Sequence, residues 1–480
     1  MVTDVPGSAH ATSFHIDGRW VDRSTAPRCA VVNPASESAI GAIAMGDTAD
    51  VDLAVAAARR AFVSFSETSV ADRIALLQRI ADLLEERAER FAQAISAEMG
   101  SAIAFARASQ VPAGIAHVRA QIEVLGSYRF LREEAGFAIA REPIGVAALI
   151  TPWNWPLYQI TAKVAPALAA GCTVVLKPSE LSPFSALLFA EVMADAGTPP
   201  GVFNLVNGTG EVVGAALSSH PDVDMVSITG STRAGMLVAQ GAAPTIKRVV
   251  QELGGKSPNV FLDDADFDTA VGKGVLSAMR NVGQSCSAPT RMIVPVTRLA
   301  HVEALARAAA EAIVVGDPAD PATAMGPIAN RAQHDRVQAM IAAGMAEGAR
   351  LVCGGPGRPN GLNRGYFVRP TIFSDVSPRM RIAQEEIFGP VLCIQPYDDI
   401  EDAVRIANDT VYGLGAHVQS ADHDRARAVA RRIRAGQVHI NYPPWTAHAP
   451  FGGYRQSGNG REYGVHGLDE FLETKAMLGY

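Results

Sequence analysis

Four short apolar runs, each closed by a turn and followed by a segment of helical periodicity, constrain this chain most: residues 144–151, 173–177, 202–206 and 225–229. Strands alternating with helices need crossovers that cover both faces of a sheet. The pattern therefore predicts an α/β fold with a parallel, doubly wound sheet. Ligands bind such sheets beyond the carboxyl ends of the strands. The polar signatures fall there: Pro152-Trp153-Asn154 after the first run, Lys177-Pro178-Ser179-Glu180 after the second, Gly208-Thr209-Gly210 after the third and Gly230-Ser231 after the fourth.

A second strand-helix series begins near Asn259, with runs at 259–262, 291–294, 391–395 and 438–441, and predicts another large domain. Upstream, residues 51–65 and 69–98 carry apolar side chains at helical spacing. The second of these opens on Ser69 and Asp72, a cap and a first-turn acid. After a short polar arm, helices are thus expected to start the first domain. Residues 128–141 and 469–480 read as strands extending from the body, with edges that another subunit would cover. A homo-oligomer is expected. No internal repeat is visible, and the Ala-rich 304–312 is ordinary helix material.

With 480 residues the chain exceeds one ordinary core, so two or three domains are expected. Hydrophobic residues at 48% against 19% charged place it among globular proteins. A net charge of −7 without a Lys or Arg run argues against nucleic acid. Residues 1–14 lack the basic and apolar regions of a secretory signal. The longest apolar stretch, 164–176, is broken by Pro166 and falls short of the roughly 20 residues that span a bilayer. A soluble, cytoplasmic protein without membrane contact is expected. Five scattered cysteines (Cys29, Cys172, Cys286, Cys353, Cys393) form no C-x-x-C pair, which argues against a disulfide framework or zinc knuckle. No H-x-x-x-H pair occurs, no metal is implied, and His439 and His448 read as structural or surface residues.

Gly283-Gln284-Ser285-Cys286 is the strongest local signal. A Cys after a small polar turn can be a nucleophile where nearby N–H groups or positive charge favour the thiolate; alone, it fits an inert buried thiol better. Glu252, in Glu252-Leu253-Gly254-Gly255-Lys256-Ser257-Pro258, follows the apolar run 247–250 and suits a general base raised by an apolar wall. Gly255-Lys256-Ser257 mimics the end of a P-loop. Val250 stands where that motif needs Gly, and Pro258 spoils the following helix, so triphosphate hydrolysis is rejected. Gly208-Thr209-Gly210 with Gly214 lacks dinucleotide-loop spacing and alone reads as a strand-to-helix turn. Ser287 replaces the second Gly of a nucleophile elbow, which disfavours a serine hydrolase.

Taken in order, several motifs closely resemble the aldehyde dehydrogenase superfamily from about residue 14 to the C-terminus. They are Thr151-Pro152-Trp153-Asn154-Trp155-Pro156, Lys177-Pro178-Ser179-Glu180, Thr229-Gly230-Ser231-Thr232, Glu252-Leu253-Gly254-Gly255-Lys256, Gly283-Gln284-Ser285-Cys286, Glu385-Glu386-Ile387-Phe388-Gly389-Pro390 and Pro450-Phe451-Gly452-Gly453. The resemblance implies that superfamily's α/β fold in three parts. These are a Rossmann-like NAD domain (1–124 and 143–253), an α/β catalytic domain (254–467) and β-strand oligomerisation segments (125–142 and 468–480), assembled as a homodimer or homotetramer.

By the same resemblance, Cys286 attacks a small-molecule aldehyde, and Asn154 and the Cys286 N–H stabilise the oxyanion. Glu252 activates the water that hydrolyses the thioester. Lys163 and Glu462 match positions proposed to relay that proton, with a surface ion pair as the open alternative. NAD is the implied cofactor. Lys177 and Glu180 would meet its adenosine ribose, and the Glu180 carboxylate favours NAD over NADP. Gly230 and Ser231 would meet the pyrophosphate; Glu386 and Phe388 would hold the nicotinamide ribose and ring, with Trp153 and Leu253 lining the channel. Ile150, Pro152, Ser179, Gly210 and Gly214 complete the cofactor set. The aldehyde tunnel would be lined by Trp155, Tyr158, Gln159, Ser285, Ser287, Trp445 and Phe451. Ala162 stands where succinate-semialdehyde dehydrogenases carry an Arg, so a medium or bulky aliphatic or aromatic aldehyde is expected, although an Arg from elsewhere could substitute. Two alternatives stay open. A CoA-acylating enzyme of the same fold is disfavoured by the presence of Glu252, and a catalytically silent structural protein, as some lens crystallins are, is disfavoured by the intact nucleophile and cofactor residues.

Overall fold

The computed structural model describes residues 5–480; the start of the polar arm, residues 1–4, lies outside the described residues. The chain opens with two antiparallel pairs, β1 (Ser13–Ile16) with β2 (Arg19–Asp22) and β3 (Arg28–Asn33) with β4 (Ser38–Ala44). This corrects the expectation that helices start the first domain. β1 and β2, of four residues each, show too few alternations to stand out as a period. The turn between β1 and β2 did carry a signal: Asp17 and Gly18 take φ of 54° and 72°, as a two-residue hairpin requires.

Helices Thr48–Phe65, Val70–Glu86 and Ala88–Met99 follow, so the expected single segment 69–98 breaks at Arg87. Ser69 and Asp72 cap reciprocally: Ser69 Oγ accepts the Asp72 N–H at 3.1 Å, and Asp72 Oδ2 accepts the Ser69 N–H at 3.3 Å.

After β5 (Leu131–Glu134) and β6 (Phe137–Pro143) comes the doubly wound sheet: β7 (Val146–Ile150), β8 (Thr173–Lys177), β9 (Phe203–Leu205), β10 (Met225–Thr229) and β11 (Arg248–Glu252). These five run parallel in the order β11-β10-β7-β8-β9, with β1 and β2 extending one edge. Every residue of β7, β8 and β10 is buried, because apolar clusters cover both sheet faces. Glu252 does not follow its strand as expected but ends it, in register with Thr229. Pro166 lies inside helix Pro156–Ala170, so the apolar stretch 164–176 is a helix end, a turn and most of β8.

The second sheet contains β12 (Pro258–Phe261), β13 (Arg291–Pro295), β14 (Arg350–Cys353), β15 (Thr371–Ser374), β16 (Val391–Tyr397), β17 (Gly415–Gln419) and β18 (Gln437–Ile440) in the order β14-β15-β16-β13-β12-β17-β18. Sequence periodicity did not anticipate β14, β15 or β17. The chain then returns to the first sheet, where β19 (Gly458–Asn459) pairs antiparallel with β11. Residues within the expected 254–467 block thus complete the first sheet and come beside Glu252. Finally β20 (Leu472–Leu478) joins β6 and β5 in the order β20-β6-β5, so the two extending segments pair with each other. No described helix is long and apolar enough to cross a membrane.

Candidate active site

The nucleophile loop leaves helix Phe267–Met279 through three consecutive left-handed residues, Asn281, Val282 and Gly283, at φ of 54°, 62° and 70°. Left-handed backbone costs an L-residue roughly 1–2 kcal/mol. Val282 is buried in the apolar cluster that also holds Ile387, Val391 and Cys393, and a Cβ on Gly283 would lie 2.2 Å from Gly389 O. Gln284 N–H donates to Asn281 O, and Gln284 Oε1 accepts from Ala329 N–H at 2.9 Å. The Asn154 side chain, buried at the start of the turn after β7, donates from Nδ2 to Gln284 O at 2.9 Å. Burial pushes the Cys286 thiol up, and the charges of Glu252, Glu386 and Glu462 add to the effect. Such a thiol attacks only if a base removes its proton.

Glu252 is 1% exposed and neither carboxylate oxygen has a hydrogen-bond partner among the described residues. Burial raises it well above the usual carboxylate range; Glu462 raises it further, against Lys163 and Arg461. This is the environment of a general base. Gly452 makes room for it: a Cβ there would lie 2.6 Å from Glu252 Oε1. Lys163 and Glu462 form an ion pair with 1% and 5% side-chain exposure, and Lys163 Nζ also donates to Ser227 Oγ at 3.2 Å. The surface alternative for this pair is therefore corrected to a buried one.

An aromatic cage adjoins Cys286. Trp155 Nε1 donates to Ser285 Oγ at 2.9 Å, the Tyr158 and Tyr463 hydroxyls hydrogen-bond, and Phe451 stacks on Tyr463 at 5.2 Å. Ala162 and Leu414 pack with Phe451 and Tyr463, against Tyr158 and Cys286. Trp445, 44% exposed, packs inward on Tyr158 and His117 and outward lines a groove of about 930 Å³ along helix Val111–Ser127. Ser287 lies beside Gly415 on β17. Gln159 is buried with Oε1 unpartnered among the described residues. Arg280 lies over Phe105 and Trp155 at 5.1 and 5.7 Å.

His117 and Tyr463 were missed by the sequence reading. His117 stacks on Tyr463 at 4.6 Å, and burial lowers it to about 3. A lone His within a helical period gives no signal of this role. His439 stacks on His417 at 4.6 Å, and half-exposed His448 pairs with Glu123 at 3.1 Å.

The opposite side fits a dinucleotide. Lys177 Nζ donates to Pro178 O at 3.0 Å and to Glu180 Oε2 at 3.3 Å, beyond β8. Ser179 Oγ accepts the Leu181 N–H at 3.3 Å. Ser231 caps helix Thr232–Ala242 by accepting the Ala234 N–H at 3.2 Å, and Gly230 N–H donates to Glu252 O. Thr209 caps the wide turn Gly210–Gly214, where Gly214 faces Ile150 at the end of β7; Pro152 lies in the turn after that strand. Leu253 packs on Gly235. Glu386 Oε1 accepts the Gly255 N–H at 3.0 Å, and burial pushes this carboxyl to about 7. A Cβ on Gly254 would strike Glu386 at 2.3 Å, so the backbone itself forms the cradle. Trp153 and Phe388 meet edge to face at 5.4 Å, with Phe388 at φ 58°.

Fold and site set the chain among α/β dehydrogenases that work through a cysteine. The profile of the aldehyde dehydrogenase family matches residues 20–477, and the chain belongs to that family. It is 55% identical over 468 residues to the 3-succinoylsemialdehyde-pyridine dehydrogenase of a Pseudomonas species, covering 97% of this chain and 98% of that protein. Among solved structures it is similar to a mutant of aldehyde dehydrogenase C from Pseudomonas syringae in complex with NAD+ and octanal, with 64% identity and a TM-score of 0.99 over 100% of this chain and 99% of that one. It also resembles the betaine aldehyde dehydrogenase of Staphylococcus aureus in complex with NAD+, with 35% identity, a TM-score of 0.94 and coverage of 98% and 94%.

Proposed function

We propose that this chain oxidises a medium or bulky aliphatic or aromatic aldehyde to its carboxylic acid, through a thioester on Cys286 hydrolysed by water that Glu252 activates. The reaction class, NAD-dependent oxidation of an aldehyde, is that of its family. Cys286 Sγ gives its proton to a solvent water in the cleft and bonds to the aldehyde carbon, turning the carbonyl oxygen into an oxyanion. Asn154 Nδ2 and the Cys286 N–H donate to that oxygen, each contact stabilising it by about 3 kcal/mol in a dry site. Lys177, Glu180, Glu386 and Phe388 would hold NAD, which would supply the hydride acceptor needed for the oxyanion to collapse to the thioester. Glu252 then takes a proton from water, the hydroxide adds to the thioester carbon, the C–S bond breaks and the acid leaves. Lys163 and Glu462 pass the proton onward.

The observation that carries this reading is Glu252 itself, a buried carboxylate with no hydrogen-bond partner among the described residues, whose charge bears on Cys286. Transfer to CoA needs no base at this position, which favours hydrolysis. Glu180, beside Lys177, favours a free ribose hydroxyl and hence NAD, and two similar structures hold NAD+.

The apolar cage with Ala162 in its wall suits an uncharged tail. Octanal bound to one relative, and the pyridine semialdehyde in another's name, fit a tail of this size. β5 and β20 flank their sheet with open edges, which supports self-association as a homodimer or homotetramer. Five free cysteines suit a reducing, cytoplasmic setting. The test is kcat/KM for octanal and benzaldehyde against succinic semialdehyde. Preference for the uncharged pair is expected; a clear preference for the carboxylated one, met by Arg280, would overturn the substrate assignment.

A further inference from the structure

We propose that Asn281 is a positioning residue for the reaction, its side-chain amide binding Asn154 and the Cys286 loop into one frame. The inference rests on the reading of Asn154 as an oxyanion donor. Asn281 Nδ2 donates to the main-chain oxygens of Asn154 at 2.8 Å and of Gln284 at 3.2 Å. Its Oδ1 accepts from Gln110 Nε2 at 3.0 Å, and Gln110 is anchored in turn on Ser101 Oγ at 3.0 Å. Asn154 Nδ2 donates to the same Gln284 oxygen. One carbonyl, two residues before the nucleophile, is therefore shared by two side-chain amides, and Asn154 is held by both its main chain and its side chain from one loop.

This sharing matters for the chemistry. One N–H of the Asn154 amide is committed to Gln284, and no described residue accepts the other. Turning the amide would break the bond to Gln284, so the free N–H keeps one direction relative to Cys286. A donor fixed in advance avoids reorganisation when the oxyanion forms. The backbone supports the same purpose: three left-handed residues in succession persist only where their surroundings over-determine them. The Gln110 bond, the packing of Val282 and the approach of Gly283 to Gly389 supply that constraint.

The test is a double-mutant cycle of Asn281→Gly and Asn154→Ala, reading kcat with octanal and KM for NAD. Gly accepts the left-handed backbone and removes only the amide. Expected are a loss in kcat of about tenfold for Asn281→Gly, one on the order of 100-fold for Asn154→Ala, and little further loss in the double variant, with KM for NAD unchanged. Wild-type kcat in Asn281→Gly would overturn the proposal, as would the same loss in both backgrounds. If Asn154→Ala alone costs nothing, the oxyanion reading fails first and the proposal with it. Should Asn281→Gly not fold, Asn281→Asp enters the same cycle with the same outcomes, since it keeps the acceptor for Gln110 and loses the donor to both carbonyls.

Discussion

Glu462 reaches Lys163 across the interior and closes a buried ion pair beside Glu252. The two partners act on the base in opposite directions: Glu462 disfavours the ionised form of Glu252 and Lys163 favours it. Replacing Glu462 by Gln removes the repulsion and leaves Lys163, so the Glu252 carboxyl should ionise at lower pH. Because the base works only when ionised, the rising limb of kcat against pH should move to lower pH. A limb that stays in place or moves up would separate this pair from Glu252.

On the proposed reading, Glu180, 3.3 Å from Lys177 Nζ, meets the adenosine ribose and sets cofactor choice. Its carboxylate repels a 2′-phosphate. Glu180→Gln should raise kcat/KM for NADP relative to NAD by about tenfold, the loss of roughly 1.4 kcal/mol of repulsion. Initial rates with both cofactors at fixed octanal measure it; an unchanged ratio would mean that Glu180 does not read this phosphate.

Trp445 joins the outer groove to the cage through its contacts with Tyr158 and His117. A long tail would cover it and a short aldehyde would not. Trp445→Ala should therefore raise KM for octanal by about tenfold while leaving that for acetaldehyde near wild type. Equal changes for the two would place Trp445 outside the tail path.

Gly452 leaves space for the base, since a Cβ there would meet Glu252 Oε1 and Gly460 O, each at 2.6 Å. Gly452→Ala should lower kcat on the order of 100-fold by displacing the general base, with KM for NAD little changed. Full activity would show that Glu252 tolerates displacement.

Much of this was legible in the chain. The runs at 173–177 and 225–229 coincide with β8 and β10, because strands buried on both faces are continuously apolar. The motif residues converge at the carboxyl ends of those strands, where a doubly wound sheet leaves its crevice. The cage was only partly legible. Tyr158 and Trp445 were named through the family resemblance, whereas His117 and Tyr463 join them only through tertiary packing, and a His on a helix looks the same in sequence whether it faces a core or a substrate channel. Asn281 gave no signal either, since its role depends on a left-handed turn that periodicity does not encode. β19 escaped because its two residues are too few to show a period, yet their return to β11 brings Glu462 to Lys163.

Acyl transfer through Cys286, with Glu252 acting on water, can be followed by mixing Glu252→Gln protein with NAD and octanal, quenching, and mapping the acyl group by peptide mass spectrometry while counting NADH. An octanoyl group is expected on the peptide carrying Cys286, formed with about one NADH per subunit before turnover stalls. No adduct, an adduct on another residue, or undiminished steady turnover would contradict it.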